Sequence, residues 1–432
     1  MKEYLERRKK LITKMPKNSL AIIFGSNSLI RNGDVEFPFR QNSDFFYLTG
    51  FEEPNAVAII ESDDSGEFTI FCQDKDPSKE QWEGNRMGPK NCKNIGAKQG
   101  FSIEAFSEEI SNFLINKERI YYQKDLNNSL EDIVNKNITT LKKTTSRSNN
   151  FVPEEIHSID SLLHEIRLLK TKEEIKIIRK ACEISSAAHI RAMKNVYPEM
   201  YEYQLEAEYV HEFMKNGAKA CAYPSIVGGG KNACILHYNE NKDQLLDGDL
   251  VLVDAGCEFK GYASDITRTF PISGKFSKAQ EAVYEIVLEA NKECIKTVRK
   301  NFTPNDTEKK AVEIITQGLL DLNILNGEIN ELIERKAYHD FYMHRVGHWM
   351  GMDVHDVGSY GLNGNWRKYL PGMITTIEPG IYFKQDLKNV PKEFLNIGIR
   401  IEDDVLVTEG DPEVLTSSVP KDLKKVESIM RS

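Results

Sequence analysis

Three apolar runs in the second half of this chain each end on a carboxylate, and that pattern constrains the fold more than any other feature. Leu250-Val-Leu-Val253 runs into Asp254, Ile374-Thr-Thr-Ile377 runs into Glu378 before a Pro-Gly turn, and Ile397, Ile399 and Ile401 alternate with Gly398, Arg400 and Glu402. Strands this apolar belong inside a domain. A carboxylate delivered there loses its hydration, so the fold must bring it a partner. In the third run a period of two puts the isoleucines on one face and Arg400 with Glu402 on the other. A surface ion pair would account for Arg400 and Glu402, but not for the isoleucine face behind them.

Asp254 adds a second constraint. The stretch from Asp247 to Phe270 reads as an antiparallel hairpin turning near Phe259 to Gly261. A two-residue turn at Phe259-Lys260 sets position 254 opposite 265, whereas a turn at Lys260-Gly261 sets 254 opposite 267 and leaves 265 two places along. Either register puts Asp254 and Asp265 on one face. Like charges repel there unless something positive sits between them, or unless one of the two faces solvent in an ordinary turn. The histidines gather as well: His344, His348 and His355 are three of the nine, in a segment whose Gly347 and Gly351 argue against a regular helix. This is not the zincin pattern, because Arg345 follows the first histidine where that motif has Glu. His237 lies just ahead of the hairpin, while His157, His164 and His189 read as packed or solvated side chains.

Around these segments the periodicities alternate. Thr171-Lys-Glu-Glu174 reads as a capping box opening a helix to about Asn195. A second helix spans Glu202 to Asn216, and a third follows Ser277 with Ala279, Val283, Ile286, Val287, Ala290 and Cys294 on its core face. Together with the carboxylate-ended strands, this part is α+β. The first part, with brief apolar runs at Leu20 to Phe24, Ala56 to Glu61 and Phe68 to Cys72, reads as α/β. A polar stretch from Lys142 to Asn150 marks the connection, which divides the 432 residues into an N-terminal domain 1–165 and a second domain 166–432.

Composition narrows the partners. Lys+Arg 57 against Asp+Glu 66 gives a net charge of -9, which argues against nucleic acid. No eighteen apolar residues run together, so no membrane span is expected. Seven cysteines with no C-x-x-C pair, and a charged Met1 to Lys10 with no apolar segment behind it, point to the cytoplasm.

The motifs Asp254-Ala-Gly-Cys257, Asp265-Ile-Thr-Arg-Thr-Phe-Pro271, His344-Arg-Val-Gly-His348, Val354-His-Asp356, Thr376-Ile-Glu-Pro-Gly380 and Arg400-Ile-Glu-Asp403 resemble those of the pita-bread metallopeptidases. With Phe39-Arg-Gln-Asn-Ser43 and Tyr47-Leu-Thr-Gly-Phe51, the likeness is to the Xaa-Pro aminopeptidases, or aminopeptidases P. The resemblance implies an α/β N-terminal domain followed by an α+β pita-bread catalytic domain, with Asp254, Asp265, His348, Glu378 and Glu402 as metal ligands. Four carboxylates and one imidazole balance two divalent cations. The resemblance implies manganese, although zinc, cobalt or iron would take similar ligands.

It further implies release of the N-terminal residue from peptides with proline in second position, by attack of a metal-bridging hydroxide. Glu378 would then move the proton, and His237 and His355 would hydrogen-bond the substrate at the scissile bond. His344 and Arg400 would line the substrate pocket. Trp82 and Asp34 match positions that reach a neighbouring subunit's site in tetrameric relatives, so a homotetramer is expected. Two other readings stand beside this one: a prolidase, which prefers dipeptides and needs a cationic clamp for their free carboxylate, and a metal-free peptide-binding module of the same fold.

Overall fold

A computed structural model describes residues 1–431. They divide into two compact units, Met1–Ile166 and Arg167–Ser432. The first unit is α/β. Its six-stranded sheet runs, edge to edge, Gln99–Ser102, Thr69–Cys72, Val57–Glu61, Ser19–Phe24, Arg119–Tyr122 and Glu155–Ser158. Ser19–Phe24 lies inside this sheet and is buried at all six positions, which is why it reads as an unbroken apolar run rather than an alternation. Phe106–Leu114 and Asn128–Thr145 cover the sheet with Ile110, Leu114, Val134 and Ile138 against Leu20, Ile22 and Phe71.

The polar stretch after Lys142 is not an inter-domain linker. Lys142 to Thr145 form the last turn of the helix Asn128–Thr145, where lysines face a helix C-terminus favourably. The chain then returns to the sheet as the edge strand Glu155–Ser158.

The second unit is α+β. Three of its long helices begin at side-chain caps: Thr171 and Glu174 close a capping box at Lys172–Asn195, Ser277 and Gln280 another at Lys278–Thr297, and Thr303 with Asp306 a third at Pro304–Asp321. Val283, Val287, Ala290 and Cys294 are buried along Lys278–Thr297, with Ala279 and Ile286 packed at the margin of the same core. Against the helices lie short antiparallel sheets. One holds Ile226–Gly229, Leu250–Asp254 and Thr267–Pro271; a second holds Ile374–Ile377, Asp403–Leu406 and Glu413–Val414; a third pairs Gly380–Tyr382 with Gly398–Arg400.

The hairpin register follows from one turn. Lys260 and Gly261 both have positive φ, 52° and 78°, as a two-residue hairpin turn requires. Phe259 therefore pairs with Tyr262, and Asp254 with Thr267. Among the described residues no helix is long and apolar enough to cross a membrane.

Candidate metal centre

Glu378 and Glu402 sit where two strands break together. Ile374–Ile377 pairs with Asp403–Leu406, and Gly380–Tyr382 with Gly398–Arg400, but the ladder is interrupted between them. Pro379 has no amide hydrogen to give, so the pairing cannot run through. The carbonyls freed at the break are those of Ile377 and Ile401, and buried Asn291 donates to both through Nδ2, at 3.0 and 3.1 Å. Each glutamate thus leaves a backbone anchored by one side chain of the helix Lys278–Thr297. Arg268 clamps the same region from the hairpin: its guanidinium donates to the Glu402 and Thr267 carbonyls, at 2.5 and 2.9 Å, and to Asp403 Oδ1 at 2.7 Å.

The histidine segment is held by close backbone approach. A Cβ on Gly347 would lie 2.0 Å from the Thr376 carbonyl oxygen, so only glycine lets His348 run beside the Glu378 strand. His348 Nδ1 lies 3.1 Å from the Trp349 carbonyl, which leaves Nε2 facing Asp265 Oδ2 and Glu378 Oε1, both at 3.4 Å. This is the orientation a metal-ligating imidazole takes, with its second nitrogen spent on a backbone acceptor. Ligand atoms of Asp265, His348 and Glu402 lie within 4.8 Å of one another.

The remaining donors close the ring. Tyr223 OH sits 2.6 Å from Asp254 Oδ1 and 2.5 Å from Asp265 Oδ1. Arg400 donates to Asp254 Oδ2 at 2.7 Å, to Thr267 Oγ1 at 3.1 Å and to Tyr382 OH at 2.9 Å. Thr267 in turn donates to Glu402 Oε2 at 2.6 Å. Arg400 and Glu402 do point together, but through Thr267 rather than as a surface pair, and both are buried.

The electrostatics explain what this ring lacks. Burial and the neighbouring carboxylates raise Asp265 and push Glu402 well above the carboxylate range. Burial likewise lifts Glu378 to about 7, against the opposing pull of His348 and Arg400. Burial pulls His348 down, yet Asp265 and Glu378 outweigh it and raise the imidazole to about 9. Four carboxylates face Arg400 as their only fixed cation among the lining residues, and a single tyrosine hydroxyl has one proton for two aspartates. The donor set fits a pair of dications, whose charge would ionise every carboxylate and leave His348 neutral.

A cavity of about 390 Å³ is lined by all five of these donors together with Tyr223, Arg400, His237, His344 and His355. His344 Nε2 lies 2.9 Å from Tyr382 OH, and burial holds its imidazole down at about 4. The His355 ring meets His348 edge-on at 4.4 Å between centroids. Trp82 and Asp34, also singled out from the sequence, are both exposed: Trp82 is 87% exposed on the helix Pro77–Glu83, and Asp34 lies in the turn where Asn32 pairs with Val35. Sequence reasoning missed Tyr223, Thr267, Tyr382 and Asn291. Tyr382 was within reach, since Gly380 and Tyr382 share a strand face that pairs with Arg400's; Asn291 was hidden inside an apolar helical stripe.

Two family models match. Metallopeptidase family M24 covers residues 176–409, and the aminopeptidase P N-terminal domain covers residues 4–121. The chain belongs to metallopeptidase family M24 and is a hydrolase of the metal-dependent class. More closely, it falls in the aminopeptidase P branch, as the sequence motifs imply. It is 42% identical over 431 residues to the Xaa-Pro aminopeptidase of Escherichia coli strain K12, covering 99% of this chain and 97% of that one. To Xaa-Pro aminopeptidase 3 of Homo sapiens it is 31% identical, covering 99% of this chain and 85% of the human one. Aminopeptidase PepP of Pseudomonas aeruginosa superposes with a TM-score of 0.97 at 45% identity, over 100% of this chain and 98% of the other. A zinc-substituted Escherichia coli aminopeptidase P in complex with product gives 0.96 at 42% identity, over 100% and 98%.

Proposed function

We propose that the chain is a manganese-dependent Xaa-Pro aminopeptidase, releasing the first residue of peptides with proline in second position, with 1–165 as its N-terminal domain and 166–432 as the catalytic one. The observation that carries this reading is the convergence of Asp254, Asp265, His348, Glu378 and Glu402 on one cavity. The substrate follows the Xaa-Pro aminopeptidases to which the chain is similar. An oxygen-rich donor set with one imidazole favours manganese among the available dications.

When bound, two dications supply Lewis-acid activation of the scissile carbonyl and of water. The chain's own groups do the rest. Glu378 accepts the proton of the attacking water and hands it to the leaving nitrogen, which in an Xaa-Pro bond is a tertiary amide that departs only when protonated. His237, with no side-chain hydrogen bond among the described residues, and His355 donate to the substrate around the scissile carbonyl. His344, fixed by Tyr382, and Arg400, fixed by Asp254 and Thr267, shape the pocket wall.

The exposure of Trp82 supports a homotetramer in which this side chain meets a neighbouring subunit's site. A cytoplasmic location rests on seven cysteines, all of them free thiols. The test is a comparison of Xaa-Pro-Xaa tripeptides with Xaa-Pro dipeptides under added manganese. Cleavage of the tripeptides supports the reading, and activity confined to dipeptides replaces it with prolidase.

A further inference from the structure

The catalytic cavity adjoins a second one of about 410 Å³, which shares His237, His344, His348, His355 and Glu378 with the first. Asp254, Asp265 and Glu402 line the first cavity and not the second. The two therefore meet at the group that protonates the leaving nitrogen, and they differ in charge on either side of it. The acidic side suits the peptide's amino terminus. The other side is left for what departs: proline and the residues after it.

There the walls turn apolar and aromatic, with Val346, Tyr360 and Trp366, and the rim carries a cation. The Arg345 side chain is exposed and makes no hydrogen bond or ion pair among the described residues, while its carbonyl lies 2.8 Å from His344 Nδ1. Its guanidinium carbon stands 5.5 Å from the centroid of the Trp366 ring. Trp366 is brought there by a hairpin, Gly361–Leu362 with Asn365–Trp366, whose turn residues Asn363 and Gly364 have φ of 51° and 79°. Glu308 borders the same cavity; its Oε2 accepts the Val346 amide at 2.8 Å, and its carboxylate attracts Arg345 without forming an ion pair with the guanidinium. A guanidinium resting on an aromatic face keeps its donor edge free and oriented, which is the geometry that recognises a carboxylate by two parallel hydrogen bonds.

We propose that Arg345, seated on Trp366, reads a carboxylate on the leaving side of the substrate: the chain terminus of a short peptide, or an acidic side chain following the proline. Arg345 lies outside the five-donor site. The inference rests on the Xaa-Pro reading above and names a substrate class within it.

The experiment compares kcat/KM on Xaa-Pro-Ala as the free acid and as the C-terminal amide, and on Xaa-Pro-Glu-amide against Xaa-Pro-Gln-amide, for the metal-loaded parent, Arg345→Ala and Arg345→Lys. The parent prefers at least one carboxylate partner by about fivefold, as a partly exposed charged pair allows. That ratio falls toward unity in Arg345→Ala, is partly restored in Arg345→Lys, and shrinks as salt is raised. The first pair of peptides identifies the terminus as the source, the second the side chain. In parallel, calorimetry on the leaving product Pro-Ala, as acid and as amide, reads the same contact without turnover. Equal ratios in parent and Arg345→Ala, in both kinetics and calorimetry, overturn the assignment. Absence of turnover on every peptide overturns the Xaa-Pro reading instead, and the calorimetric ratio then decides Arg345 by itself.

Discussion

Glu378 and His237 border the same cavity, yet their chemistry separates them cleanly. In the proposed mechanism Glu378, half-buried beside His348, serves as both metal donor and proton carrier, so Glu378→Gln removes a ligand charge and the acceptor together. Its kcat falls severely and metal occupancy falls with it. His237 stands outside the donor set, so His237→Ala keeps both metals while kcat drops on the order of 100-fold, the usual cost of a lost donor to a developing oxyanion. Elemental analysis beside steady-state kinetics separates the two; stoichiometric metal loss from His237→Ala would make it a ligand. The shifts of Glu378 to about 7 and His348 to about 9 belong to the metal-free protein. Both groups must give up protons to ligate, so metal binding releases protons and apparent affinity rises with pH across this range. Calorimetry near pH 7, in two buffers of different ionisation heat, counts the protons; a zero count would contradict these assignments.

The elements that bear the donors are held by buried groups whose loss can be priced in stability. Arg268 and Asp403 form an ion pair with neither side chain exposed, and Lys421 donates to the same carboxylate. Burial alone would raise Asp403, but Arg268 and Lys421 hold it well below the carboxylate range, so its contribution is present at neutral pH and is lost only in strong acid. Arg268→Met leaves that buried charge to Lys421 alone and costs about 3 kcal/mol, measured by chemical denaturation; a loss under about 1 kcal/mol would show the pair to be replaceable. At this scale the sequence was legible where local chemistry decides. The capping box at Thr171, the carboxylate-ended strands and the shared face of Asp254 and Asp265 are all local, and Lys260-Gly261 chose between the two registers because two successive positive φ values favour glycine at one of them. What was not legible is long-range: the alternating run from Ile397 to Glu402 does not continue unbroken into Asp403–Leu406, because Pro379 and Asn291 act from elsewhere in the chain. The polar stretch after Lys142 misled for a related reason, since an exposed helix end and a linker share a composition.

As a whole molecule, the second unit buries a core far larger than the five-donor site, running from Leu168 to Val426. The chain therefore folds without metal. Chelated protein keeps its helical circular dichroism and loses turnover, whereas unfolding on chelation would make the metals structural. Sedimentation tests the assembly: a tetramer is expected, and a monomer at working concentration would remove Trp82 from any neighbour's site. The central claim is tested most directly by titrating manganese into chelated protein with an Xaa-Pro-Xaa tripeptide as substrate. Turnover rising to a plateau at two equivalents per chain is the predicted result. Full turnover in the chelated protein, or no tripeptide cleavage at any manganese concentration, would contradict it.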